Sequence, residues 1–235
     1  MNDSRLKKAM RYQLYNFVWS CLYVYGIAIA VIVAIGILVT AFGNTGFVSI
    51  SISGVGFFHL LIVGITWIRE DFKFFIQHGI SRRTTFFSHL YVSLIGSALV
   101  GVLCEFVSLI TNLLLNSAIT IPALARYSFF SGWLTHTIFF FFAWQIGALL
   151  SLIYYRLNKI QQVVFSVTVV ATIVFGGSYG VYLLTRIADD LDGLFLNFLD
   201  NTLGLTSMAV LLGLVFGILA VIGNYLLLRR VQIKE

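Results

Sequence analysis

The chain has 235 residues, of which 60% are apolar and 10% charged, far from the roughly 25% charge of soluble domains. A water-soluble fold of this size has no interior large enough to hide so much apolar side chain. The twenty glycines and single proline, Pro122, together with apolar runs about twice the ~10-residue alternating segments of a barrel, favour long membrane helices over β-strands.

Residues 5–20 are basic but carry Leu6, Met10, Leu14, Phe17 and Val18 at separations of three and four, one side of a helix. Arg5, Lys7, Lys8 and Arg11 face phospholipid head groups in that arrangement, so an interfacial helix along the inner membrane surface is expected before the first span; the alternative is a frayed extension. No small-residue cleavage site follows the first apolar stretch, and a cleaved targeting peptide is not expected. Six spans are predicted, at about 21–42, 47–68, 85–110, 133–155, 163–184 and 205–228. Each is near the ~20 residues that cross a ~30 Å hydrocarbon core. The second is expected to end near Trp67, a residue type common at the membrane interface.

The formal charge of +6 is distributed as membrane topology rather than as a nucleic-acid surface. Alternate connections receive Arg5, Lys7, Lys8, Arg11, Arg69, Lys73, Arg82, Arg83, Arg156, Lys159, Arg229, Arg230 and Lys234, thirteen residues, against Arg126 and Arg186 on the other side. That asymmetry predicts a cytoplasmic first side, with both chain ends there, and contact with anionic lipid.

Two connections exceed what topology needs. In residues 69–84, Phe72, Phe75, Ile76 and Ile80 share one helical face, with Lys73 and Gln77 elsewhere. Glu70 and Asp71 suit a helix start, Gly79 a C-cap, and Ser81 the N-cap of the next helix. A short amphipathic helix at 71–80 is expected, either resting in the head-group layer or presenting its exposed side to another protein. Residues 189–203 open with Asp189, Asp190 and Asp192, then turn apolar over too short a stretch to cross, which predicts an external re-entrant or interfacial segment.

Chemical motifs are few. No GxxxxGK[ST] or HExxH occurs, so no ATPase site of its own and no zinc protease is read; the run GGSYG at 176–180 fits GxSxG, but with no local His/Asp partner no hydrolase is read. Cys21 and Cys104 lie in different spans, and free buried thiols are expected, with no metal-ligand spacing. His59, His78, His89 and His136 are scattered; His89 and His136 could face polar partners inside the bundle, and packing or an interface is the plainer role. Glu105 is the one acid inside a predicted span, and it must face the bundle, a cavity, an interface or the nearby head groups. It is a candidate intramembrane polar site, in a substrate path or in a hydrogen bond to Ser, Thr or Asn of a neighbouring helix. Gly26, Ala30, Ala34, Gly96, Ala98, Gly101, Gly213, Gly217 and Gly223 offer close-packing faces.

The segment REDFKFFIQHGISRRTTFFSH resembles the cytoplasmic loop of ABC-2 type exporter permeases of Gram-positive bacteria. Phe75, Gly79, Ser81, Arg82, Arg83 and Phe86 carry the pattern. The layout is similar over nearly the whole chain. This resemblance implies an all-α, six-span, type V exporter-like bundle forming a single domain, with an N-terminal elbow helix and a cytoplasmic coupling helix. It also implies a second permease, identical or not, and two cytosolic subunits that bind ATP and Mg; this chain itself would hold no cofactor. Asp71, Phe72, Phe75, Ile76, Gly79, Ser81, Arg82 and Arg83 would then form the coupling surface. Exporters of this kind move amphipathic or antimicrobial peptides, or hydrophobic compounds. The rivals are a non-transporting sensory, immunity or interaction protein, and an intramembrane enzyme, for which the sequence offers no convergent catalytic residues.

Overall fold

Lipid as solvent dictates what such a sequence builds. A backbone in hydrocarbon must satisfy its own hydrogen bonds, and uninterrupted apolar runs do so as helices. The computed structural model describes residues 3–41, 52–115, 129–171 and 204–229, all helices and their tight connections. The connection between the first two expected spans, the stretch around Pro122, the second half of the expected fifth span and the expected re-entrant segment 189–203 lie outside the described residues.

Helix α1 runs unbroken from Asp3 to Ala41. The expected boundary between an interfacial helix ending at 20 and a span beginning at 21 carries no break, because no glycine or proline interrupts residues 3–25. Its buried stripe is Ala9, Gln13, Phe17, Cys21 and Tyr25, every fourth residue. Met10 and Leu14 sit at the edge of that stripe, and Val18 is exposed, so the apolar face read from the sequence is rotated by about one position.

Helix α2 spans Ile52–Gln77. Its backbone passes through a π-turn at Ile68–Phe72, closed by the Lys73 N–H on the Ile68 carbonyl, and continues as α-helix over Lys73–Gln77. The predicted second span and the separate helix at 71–80 are therefore one rod, in which a single inserted residue re-phases the helix without ending it. Helices α3 (Arg82–Leu115), α4 (Phe129–Arg156), α5 (Lys159–Ala171) and α6 (Gly204–Arg229) follow.

The expectation of six spans is corrected. Among the described residues four helices are long and apolar enough to cross a membrane: Leu6–Ala34, Ile52–Gln77, Arg82–Val107 and Gly132–Arg156. Helix α5 is described over 13 residues, and within α6 the apolar stretch Gly213–Arg229 is shorter than the four spans, so neither is counted with them. Hydropathy sums oily residues; a span also needs them in one helix of sufficient length. Among the described residues the type V exporter-like six-span bundle thus gives way to an all-α bundle of six helices, four of which qualify as spans.

Helix α4 is the hub, packed against α2, α3 and α6, while α1 lies on α3. The α2–α4 contact is backbone on backbone. A Cβ at Gly64 would strike the Trp144 carbonyl and Ala148 N, and one at Gly147 the Leu61 carbonyl. Close approach through small residues is what joins helices where lipid is as apolar as the partner. Outward, Leu22, Ile27, Val31, Ile62, Leu99 and Leu219 are all exposed, the surface expected of helices bathed in acyl chains. The chain is a multi-pass membrane protein.

Polar side chains tie the helices together inside. Gln145 and Asn224 are 0% and 1% exposed. Gln145 Nε2 donates to Ser93 Oγ at 2.8 Å, and Asn224 Nδ2 donates to Gln145 Oε1 at 3.0 Å, linking α3, α4 and α6. Each such bond is worth about 0.6 kcal/mol on average in a membrane bundle. Cys21 and Cys104 are free and buried.

Candidate functional site

Two places gather the residues singled out from the sequence: the tip between α2 and α3 at the basic end of the bundle, and Glu105 near the opposite end.

The tip is built by local chemistry. Gly79 adopts φ +71°, the left-handed position that ends helices. The Ile80 N–H bonds the Phe75 carbonyl at 2.9 Å and the Gly79 N–H bonds that of Ile76 at 3.0 Å, the paired bonds of a Schellman turn. Ser81 then starts α3. Its Oγ accepts from the Thr84 N–H at 3.2 Å, as an N-cap does. Both caps agree with the sequence expectation. Glu70 and Asp71 do not mark a helix start, since α2 never restarts; they sit in the π-turn. Asp71 instead accepts from Gln13 Nε2 at 3.2 Å, and Gln13 Oε1 accepts from Ser88 Oγ at 2.7 Å. One glutamine thus pins α1 to both α2 and α3.

The apolar face of the tip turns inward. Phe72 and Phe75 are each 2% exposed. Phe75 meets the Tyr12 ring edge-on at 5.9 Å, and Phe72 lies 6.0 Å from Trp67. Trp67 is itself buried and stacks on His89 at 3.8 Å, so it is a core residue rather than the interfacial anchor expected. Ile76 is half-buried and packs against that same cluster. The outer flank is Lys73, Phe74, Gln77, His78 and Gly79, all exposed. Phe74 stacks on Tyr12 at 5.1 Å. Arg82 is half-buried, its Nη1 donating to the Arg229 carbonyl at 3.2 Å, and Arg83 is exposed. Beside the tip, a cavity of about 110 Å³ opens between α1, α2, α3 and α4, its polar lining including Gln13, Asn16, Ser20, Thr66, Glu70 and Asp71.

Glu105 belongs to a chain of three groups from three helices. His136 Nδ1 donates to Glu105 Oε1 at 2.9 Å, and His136 Nε2 lies 2.8 Å from Ser53 Oγ. A carboxylate on Nδ1 fixes the tautomer, leaving Nε2 to accept the serine proton. Glu105 fits only because residue 132 is glycine: a Cβ there would collide with the carboxylate. The expected partner was Ser, Thr or Asn; the actual one is His136, for which a polar partner inside the bundle was the less favoured of two expected roles. No local motif reports the trio, whose members are 83 and 31 residues apart. The only available signal was that an acid in an apolar run demands a polar partner. Glu105→Ala is expected to lower the thermal stability of the purified protein by about 2 kcal/mol by orphaning His136, with Glu105→Gln retaining more than half of that; melting curves in detergent test the order.

Among the described residues no group of three metal-ligating side chains comes together. Comparison with known proteins gives no match. No family model matches the chain, and neither a curated protein nor a solved structure does. The resemblance to exporter permeases therefore rests on the quoted residues alone.

Proposed function

We propose that this chain is the membrane subunit of an ATP-driven exporter, and that the α2–α3 tip receives force from cytosolic ATP-binding subunits. The observation that carries this reading is the two-sided construction of the tip. Its inner side, Phe72 and Phe75, is seated on α1 and on the Trp67–His89 stack, while its outer side, Lys73, Phe74, Gln77 and His78, is exposed. Pressure on the outer flank is passed through Phe75 to Tyr12 of α1, and through Phe72, Trp67 and His89 to α3. Phe72, Phe75 and Ile76 transmit in this scheme and do not touch the partner. Packed side chains carry such displacements because they have few alternative arrangements.

The chain has no phosphate loop, so ATP and Mg belong to the partners. Orientation is part of the proposal. Hydrogen bonds from Gln13 to Asp71, Arg82 to Arg229 and Arg156 to Leu227 gather the described basic residues of α1, α2, α3, α4 and α6 at one end, which the positive-inside rule assigns to the cytoplasm. A second permease, identical or related, would complete a path whose apolar, aromatic walls suit amphipathic peptides or hydrophobic compounds. The cargo follows from family analogy. Co-expression with a cytosolic ATP-binding subunit and a second permease tests the reading. A stable detergent complex is expected; failure to associate in both single- and paired-permease form would reject it in favour of a non-transporting interaction protein.

A second reading rests on the trio at the other end. Hydroxyl, imidazole and carboxylate stand in the order that activates a serine nucleophile, which makes Ser53 the acyl acceptor of an intramembrane hydrolase. A fluorophosphonate probe would label the wild-type chain and spare Ser53→Ala; an unlabelled wild type in native membranes ends this reading.

A further inference from the structure

At the basic end, the start of α3 meets the end of α6 around a cavity of about 190 Å³ lined by Arg82, Arg83, Tyr225, Leu228 and Arg229. Among the described residues none of the three guanidinium groups forms an ion pair with a carboxylate. The one polar contact that links them spends Arg82 Nη1 on the Arg229 backbone carbonyl at 3.2 Å. Three like charges around one cavity repel, and the first turn of α3 adds the positive end of a 34-residue helix. The carbonyls at the end of α6, which would offset this, are partly occupied: Arg229 O by Arg82 and Leu227 O by Arg156 Nη2 at 2.7 Å. The arrangement is left short of negative charge.

We propose that this pocket binds the phosphodiester of an anionic phospholipid head group. The chemistry required is a phosphate oxygen cluster, which guanidinium groups recognise by paired hydrogen bonds. The lipid, rather than a free phosphate, is selected by the remaining walls. Leu228 is buried and the Tyr225 ring packs edge-on to Phe86 at 5.2 Å, while the neighbouring Ile222 and Leu226 on α6 are exposed to the acyl phase. A head group seated among the arginines would have its chains run down that apolar side of α6. Basic pockets between helices on the cytoplasmic side are known places for such head groups. The site stands independently of the exporter reading and needs only the chain in its membrane.

The test uses the full chain in detergent, with lipid retention read by native mass spectrometry and affinity by titration with phosphatidylglycerol or phosphatidylcholine. Phosphatidylglycerol is expected to be retained and phosphatidylcholine not. Arg83→Gln and Arg229→Gln should each weaken phosphatidylglycerol about fivefold, the ratio equivalent to ~1 kcal/mol per basic residue. Both leave the Arg82 bond to the main chain intact, and an unchanged melting temperature without lipid shows that they fold. Lys159→Gln, an exposed basic residue outside the pocket, should leave affinity unchanged. Equal weakening by Lys159→Gln would reduce the effect to diffuse surface charge and overturn the site. Binding of inorganic phosphate with the same arginine dependence, without preference between the two lipids, would overturn the lipid assignment.

Discussion

Gly147→Val is expected to abolish the folded bundle. The valine Cβ would be driven into the Leu61 carbonyl and to 3.1 Å from Gly64 Cα and Ile65 N. All three neighbours are backbone, so no rotamer change relieves the clash, and α2 must move off the hub helix along the contact. Overpacking costs 1–3 kcal/mol where side chains can adjust; here about 3 kcal/mol is the lower bound to expect. Gly217→Ala is the matched control, since its Cβ would meet only the Phe141 ring at an ordinary 3.8 Å. Size-exclusion profiles and melting curves in detergent should show the first variant aggregated or unfolded and the second close to the wild type. A folded, monodisperse Gly147→Val would mean that α2 and α4 are not in backbone contact.

The second large effect separates the two sides of the tip. Phe75→Asp removes a fully buried ring, a loss of about 3–5 kcal/mol, and leaves a carboxylate against Tyr12 with no basic partner, which adds to the cost. It is expected to prevent the tip from seating and to lower the amount of folded protein. Phe74→Asp places the same charge at a residue 37% exposed, where a change away from the core costs about 1 kcal/mol or less. On the exporter reading it should fold and fail to bind the ATP-binding subunit. Yield and melting temperature measure the first effect, and co-purification the second. A well-folded Phe75→Asp that has lost binding would exchange the roles given to the two faces.

What could be read from the sequence was what local chemistry decides. Gly79 and Ser81 announced the turn because each satisfies backbone groups within five residues of itself. The Phe72, Phe75 and Ile76 face was legible for the same reason, as helical periodicity. Its destination was not legible: nothing near residue 75 says that Tyr12 waits 63 residues upstream to meet it. The π-turn at Ile68–Phe72 has no residue signature, so an uninterrupted α2 read as a span followed by a separate helix. Gly26, singled out as a packing position, has nothing among the described residues within 4 Å in place of its side chain. Gly64 and Gly147, which make the closest contact, stood unremarked among the other glycines. Gln145 and Asn224 were within reach, since an amide in an apolar run needs a partner on another helix. Six spans were read where four qualify among the described residues, because hydropathy alone does not measure the helix that carries the oily residues.

The central claim is that the exposed flank of the tip is a docking surface on the cytoplasmic side. A photo-crosslinking amino acid placed at exposed position 77, with the chain in native membranes beside a co-expressed cytosolic ATP-binding subunit, tests it most directly. The expected result is a light-dependent adduct between the two proteins. Adducts with lipid alone, or modification of a cysteine at position 77 by a membrane-impermeant reagent added outside the cell, would contradict it.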